Sequence, residues 1–355
     1  MRFRRRRILT ALAGFVLVVA CIGMAYQDAG TIGDTRAYPP PGRLVDVGGY
    51  RLHIYCLGRG SPTVVMDAGI GETSLVWRGV QPAVAARTRA CSYDRAGLGW
   101  SDPGPLPRTS GREIRELRRL LANAGEIGPY VLAGHSFGGW NALLYARQYR
   151  RDIAGLVLID AAPLDEDGRF PLAERAQEAA QRADAQRCLA GETHLAAAER
   201  AVGLNRLGEA LNPAPAPPLL DEYPPAIRSQ VRFVTNRWLE NGAPLCGAGA
   251  AEIVALGESA TEGHARGALG TMPLVVITRG LPETWAPPIP VHQTEQAWQA
   301  MQRELVALSA TGRQVIARRS RHHIQFNQPG IVVAAILHVV EDVRHGEKRH
   351  AREQG

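Results

Sequence analysis

A serine set among glycines, where an apolar strand passes into a helix, constrains this chain more than any other feature. Tyr130-Val131-Leu132-Ala133 reads as a buried strand and residues 140–149 read as a helix. Between them lies Gly134-His135-Ser136-Phe137-Gly138-Gly139. The turn fits G-x-S-x-G, in which small neighbours let the serine occupy a tight, strained step with its hydroxyl exposed. A phosphate-binding glycine turn is the competing reading. It calls for a lysine or for G-x-G-x-x-G spacing, and neither is present.

The surrounding pattern agrees with a strand that feeds a helix. Residues 43–47 and 50–57 are short alternating runs split by Gly48-Gly49, a hairpin signal. Strands follow at 63–68, 90–93, 130–133, 155–160, 274–278 and 314–317. Helices are expected at 112–124, 140–149, 295–309 and 330–343. In the first of these, Ile114, Leu117, Leu120 and Leu121 share one face. Such alternation implies an α/β fold with a mostly parallel sheet covered on both faces. Residues 163–270 break the rhythm: they are rich in Ala, Arg and Glu, carry Asn212-Pro213-Ala214-Pro215-Ala216-Pro217-Pro218, and hold no clear buried strand. They read as a helical lid inserted between core segments 43–162 and 271–345. Residues 346–355 read as a polar, flexible tail.

Charge decides the amino terminus. The chain of 355 residues carries 41 basic and 34 acidic groups, net +7. Five arginines among the first seven residues account for all but +2 of that, so a nucleic-acid-binding surface is not supported. Residues 8–26 then run without charge for about 28 Å as a helix, close to a bilayer core of about 30 Å. Arginines before an apolar run mark an inside-facing anchor: 1–7 cytoplasmic, 8–26 spanning, 27–42 a linker stiffened by Pro39-Pro40-Pro41. A cleaved signal peptide at Gly23-Met24-Ala25, or a lipoprotein acylated at Cys21 in Val18-Val19-Ala20-Cys21, are the alternatives. All three readings place the folded part outside the cytoplasm, the first as a single-pass protein of the cell membrane and the others as a secreted or lipid-anchored one.

With these residues in view, the chain resembles the α/β-hydrolase family over about residues 43–345. Besides Gly-His-Ser-Phe-Gly-Gly, the resemblance is carried by Asp94-Arg95-Ala96-Gly97-Leu98-Gly99-Trp100-Ser101-Asp102-Pro103 and by Ser320-Arg321-His322-His323-Ile324-Gln325 with Gln328-Pro329. The order of the pieces is the family order, and the chain is most similar to bacterial lipase- and esterase-like members with a membrane leader. The resemblance implies an eight-stranded α/β-hydrolase sheet and a triad in the order serine, acid, histidine. Ser136 is then the nucleophile. His322 matches the position of the base, with His323 as the neighbouring alternative. The usual acid position, after the strand at 274–278, holds no aspartate and offers only Glu283. In some relatives, pancreatic lipases among them, the acid follows the preceding strand. Here that residue is Asp160, so Asp160 is the expected acid, with Glu283 the alternative and Asp165 and Asp167 behind them.

An oxyanion hole needs two backbone N–H groups aimed at the developing charge. The resemblance assigns them to Phe137 and, with Trp77 fixing the register of the glycine loop, to Ile70. Asp67 and Asp94 read as braces for loops. The family's sheet order makes the strands of Cys56 and Cys91 neighbours, implying a Cys56–Cys91 bridge, and Cys188 with Cys246 would staple the insertion. No C-x-x-C or H-E-x-x-H spacing is present, so neither a metal nor a cofactor is expected. These readings converge on a serine hydrolase of carboxylic esters or related acyl bonds acting on small molecules. The alternatives are a catalytically silent binding module at the cell envelope, or a cofactor-free peroxidase or acyltransferase using the same triad. A serine nucleophile argues against epoxide hydrolase or dehalogenase chemistry, where the resemblance requires an aspartate.

Overall fold

Asp46 closes the opening hairpin. Its carboxylate accepts from the N–H groups of Gly48 and Gly49 at 3.0 and 3.2 Å. Both glycines lie at positive φ (121° and 100°), a region that side chains avoid. The turn joins β1 (Arg43–Asp46) to β2 (Arg51–Leu57) in a computed structural model that describes residues 2–163, 168–190, 198–199, 201–212, 220–240, 247–262, 267–283 and 289–353. Among the described residues the other strands are β3 (Thr63–Asp67), β4 (Ala90–Tyr93), β5 (Tyr130–His135), β6 (Ile153–Ile159), β7 (Leu274–Arg279) and β8 (Arg313–Ala317). They form one sheet of eight strands in the order β1-β2-β4-β3-β5-β6-β7-β8. Pairing is antiparallel from β1 through β2 to β4 and parallel elsewhere.

The central strands β3, β5, β6 and β7 are buried at every position but Ala154 because helices cover both sides. Alternation still sorts their side chains. Leu132, Leu156, Leu158 and Val276 join one core layer, with α3 (Ser110–Asn123) and α4 (Phe137–Gln148) packed over it. Val131, Ala133, Val157, Ile159 and Ile277 join the other, under α2 (Gln81–Ala85) and α11 (Pro329–Glu353). Thr109 caps α3, its hydroxyl accepting from Arg112 N–H at 3.3 Å. Pro329 opens α11, where its missing N–H costs nothing.

Between β6 and β7 the chain forms α5 (Leu172–Ala190), α6 (Leu204–Leu211), α7 (Arg228–Glu240) and α8 (Gly247–Glu262). After β7 come α9 (Val291–Val306) and, past β8, α10 (Ile324–Asn327). Cys56 and Cys91 stand directly opposite each other on β2 and β4 and are joined by a disulfide. Cys188 is disulfide-bonded as well, while Cys246, its expected partner, lies outside the described residues, as do Asp165 and Asp167. The Cys56–Cys91 bridge closes a loop of 35 residues. A loop of that size restricts the unfolded chain by roughly 3 to 5 kcal/mol. The Cys56→Ser, Cys91→Ser double variant is therefore expected to unfold at clearly lower temperature, measured by thermal circular dichroism on the full chain. An unchanged midpoint would show that the bridge does not form.

Two expectations about chain ends need correction. The linker at 27–42 is mostly helical, because α1 runs unbroken from Arg2 to Ala37 and only residues 38–42 lie outside it. Its polar stretch is held on the folded body: Gln27 is buried, and Asp34 pairs with Arg206 of α6 at 2.7 Å. The first proline of the chain is residue 39, past the helix. Likewise the tail at 346–355 continues α11 as far as Glu353, since Glu, Lys, Arg and Ala all favour helix. Among the described residues α1 is the helix long and apolar enough to cross a membrane, and its most apolar stretch is exposed.

Candidate active site

Four loops at the carboxyl ends of β3, β5, β6 and β8 converge to form the site. Ser136 follows β5 and starts α4 at φ 52° and ψ −119°, a conformation rare for a residue with a side chain. The packing enforces it. A Cβ at Gly134 would strike the carbonyl of Gly138, and one at Gly138 would strike the carbonyls of Asp67 and Ala68. Ser136 N–H donates to Ile159 O at 3.1 Å and Ser136 O accepts from Ala162 N–H at 3.2 Å, fixing the step against β6.

Asp160 comes directly after β6, also at positive φ (41°), and is fully buried. Its Oδ2 accepts from His322 Nδ1 at 2.7 Å and from Arg279 Nη1 at 2.9 Å. Its Oδ1 accepts from Arg279 N–H at 3.1 Å and from Trp298 Nε1 at 2.8 Å. Burial alone would raise the Asp160 carboxyl, but the His322 hydrogen bond and the Arg279 charge outweigh it and hold the group far below the usual carboxylate range. An ionised Asp160 only accepts, so His322 carries its proton on Nδ1 and keeps Nε2 as a free base. Burial, together with the nearby His135 charge, lowers the His322 pKa from its ordinary 6.5 even though Asp160 pulls the other way.

Ile70 lies in the glycine loop after β3, and Phe137 opens α4 directly after Ser136. Gly69 N–H donates to Glu72 Oε2 at 2.7 Å, and Gly71 N–H donates to Glu252 Oε2 at 2.8 Å. Between them, Ile70 N–H has no acceptor among the described residues, nor does Phe137 N–H at the start of α4. Arg95 holds this loop from below, donating to the carbonyls of Ala68 and Gly69 at 2.7 and 2.6 Å and pairing with Asp67 and Glu252 at 2.8 Å each. Asp67 and Asp94 act as braces: Asp94 accepts from Ser74 N–H at 2.6 Å, Trp100 N–H at 3.0 Å and His53 Nδ1 at 2.9 Å.

Glu283 touches the His322 loop differently from Asp160. Its carboxylate accepts from the His322 backbone N–H at 3.1 Å, and the His322 ring belongs to Asp160. His323 turns away to Glu72, its Nε2 lying 3.0 Å from Oε1. Glu72 also meets His135 Nδ1 at 3.1 Å, and His135 Nε2 reaches His322 O at 3.1 Å. One carboxylate thus ties the glycine loop, the serine turn and the histidine loop together. Burial opposes its charge, but contacts with His135 and His323 hold Glu72 well below the usual carboxylate range.

Sequence reasoning missed Glu72, Arg279, Trp298 and Glu252. A signal existed for Arg279, because a charged residue ending the buried run Leu274-Val275-Val276-Ile277-Thr278 needs a buried counter-charge. Glu72 stands next to the glycine loop, and nothing in the chain order marks the histidines it joins.

Known proteins share this architecture. The Alpha/beta hydrolase family pattern matches residues 64–336. Among curated relatives, YqjL of Bacillus subtilis is 34% identical over 105 residues, covering 30% of this chain and 42% of that protein. Across the first curated relatives the match spans only 20%, 42% and 48% of the relative's own length. A thermophilic esterase from Thermogutta terrifontis superposes with a TM-score of 0.58 at 21% identity, covering 85% of this chain and 98% of that one. An enol-lactonase from Burkholderia xenovorans superposes with a TM-score of 0.56 at 19% identity, covering 84% of this chain and 100% of that one. With its eight-stranded, mostly parallel sheet and a family match over most of its length, the chain belongs to the alpha/beta hydrolase family.

Proposed function

We propose that the protein is a serine hydrolase of carboxylic esters, working through Ser136, His322 and Asp160 and an acyl-enzyme intermediate. The observation that carries this reading is the buried Asp160–His322 contact of 2.7 Å, made by a residue beyond β6 beside the strained Ser136 turn. Ser136 attacks the ester carbonyl, and His322 Nε2 takes its proton and returns it to the leaving alcohol. Asp160 fixes the imidazole tautomer, while Ile70 and Phe137 N–H groups receive the oxyanion. The helices between β6 and β7 form the lid. A fluorophosphonate probe is expected to label the full chain on Ser136 and to leave Ser136→Ala unlabelled. Equal labelling of both would end the reading.

The pH profile follows from His322. A base must be neutral, and a lowered pKa keeps it so until the pH falls below that value. Ester kcat/KM is therefore expected to rise through a single midpoint below pH 6.5 and then to level off. A midpoint above 6.5 would contradict the environment described for His322.

We further assign the chain to the extracytoplasmic face of a membrane, held by α1. Supporting this are the arginine block ahead of the apolar run, which favours the inside, and the Cys56–Cys91 disulfide, which suits an oxidising compartment.

A further inference from the structure

Helix α6 has its amphipathic faces reversed. Leu204, Leu207 and Leu211 follow the i, i+3, i+7 spacing of one face and are 52%, 45% and 78% exposed. Arg206, on the same helix, is largely covered and paired with Asp34 of α1. A soluble protein buries such leucines and shows its arginine, and an exposed apolar face of this kind marks a contact surface.

What lies beside α6 identifies the medium. Gly23, Tyr26, Gln27, Gly30 and Asp34 fall on one side of α1, and all meet the chain between Val202 and Arg206. A Cβ at Gly23 would collide with Val202 O, and one at Gly30 would collide with the Arg206 guanidinium. A Cβ on Gly203 would come within 2.9 Å of Gly23 O and 3.1 Å of the Tyr26 ring. Gly23 and Tyr26 belong to the last turn of the uncharged run at 8–26. If that run spans the bilayer, Val202 and Gly203 sit about 5 Å inside its outer boundary, one helical turn deep. Leu204 then begins at that depth, and Arg206 meets Gly30 and Asp34, about 6 and 12 Å past the end of the run, so the leucine face leads from the acyl boundary into the headgroup layer where interfacial helices lie.

The same helix leads toward the chemistry. It packs on α7, and α7 supplies Val234 and Thr235 to a cavity of about 190 Å³ shared with Gly71, Thr73, Leu98 and Ala248. That cavity adjoins the loop bearing Ile70. We infer that α6 lies in the outer leaflet beside the anchor, and that the site takes acyl esters of membrane lipids entering from the bilayer. The inference rests on the anchored-hydrolase reading above.

The test uses the full chain in vesicles of phosphatidylethanolamine and phosphatidylglycerol. A fluorophore is placed on Leu207→Cys in a Cys21→Ala background, with Arg59→Cys as the solvent-facing control. Brominated lipids are expected to quench the label at 207 and not the one at 59. The exposed triple variant Leu204→Ser, Leu207→Ser, Leu211→Ser is expected to keep its turnover of a soluble short-chain ester. It should lose at least about tenfold on a long-chain ester carried in the vesicle, since three leucines leaving the interface amount to more than 1.4 kcal/mol. An unquenched label on protein that resists carbonate extraction overturns the inference alone. Extraction by carbonate removes the anchor and the inference with it. Quenching at 207 without turnover of either ester supports the helix placement and overturns the hydrolase reading and the substrate class. Equal loss, or no loss, on both esters overturns the lipid route.

Discussion

Ser136→Ala, His322→Ala and the double variant are expected to lose the same activity, on the order of 10⁶-fold in kcat on a short p-nitrophenyl ester. In the proposed mechanism the two residues act as one device. Without the hydroxyl there is nothing for His322 to deprotonate, and without the imidazole the hydroxyl is a poor nucleophile at neutral pH. The loss therefore does not compound. A remnant above the uncatalysed rate should persist, because in the proposed site the Ile70 and Phe137 N–H groups would still receive the oxyanion. If the two single losses multiplied in the double variant, His322 would be acting in a step separate from Ser136 and the assignment of base would fail.

Asp160→Asn is expected to cost about 10⁴-fold in kcat, whereas Glu283→Gln stays within about tenfold. Asp160 receives four donors on two oxygens: His322 Nδ1 and Arg279 Nη1 on one, Arg279 N–H and Trp298 Nε1 on the other. An asparagine amide must point its NH₂ at one of these pairs, setting donors against donors. If it faces His322, the imidazole moves its proton to Nε2 and ceases to be a base. Among the described residues the Glu283 carboxylate meets the backbone N–H of His322, and a glutamine oxygen can accept that bond as well. Steady-state kinetics of both variants decide the matter. Collapse of Glu283→Gln with survival of Asp160→Asn would reverse the assignment of the acid.

Much of the fold could be read in the chain because its signals are local. The serine turn, the Gly48-Gly49 hairpin and the apolar runs each specify their element through a few neighbouring residues. The boundaries drifted where a local signal was weak. Residues 27–37 look like a tether, since their composition is polar, and they are helical because α6 supplies a partner for Asp34 and cover for Gln27. Positions 346–353 look frayed by polarity, although their residues favour helix and extend α11.

The site divides along the same line. Ser136, Phe137 and Ile70 lie within or beside short motifs, so the family resemblance nominates them from the chain. The acid is different. Asp160 and Glu283 are both near His322 in sequence terms of strand order, and only the packed sheet shows that Asp160 meets the ring while Glu283 meets the backbone. Glu72 and Arg279 gain their partners from loops 63 and 119 residues away. The sequence by itself determined the alternating sheet, the strained serine and the charge-marked apolar helix, because each follows from the chemistry of contiguous residues. Only the tertiary structure decided which carboxylate holds the histidine and which helix lies against the apolar amino-terminal helix. Those outcomes depend on distances across the fold, and burial there makes every charge choose a partner.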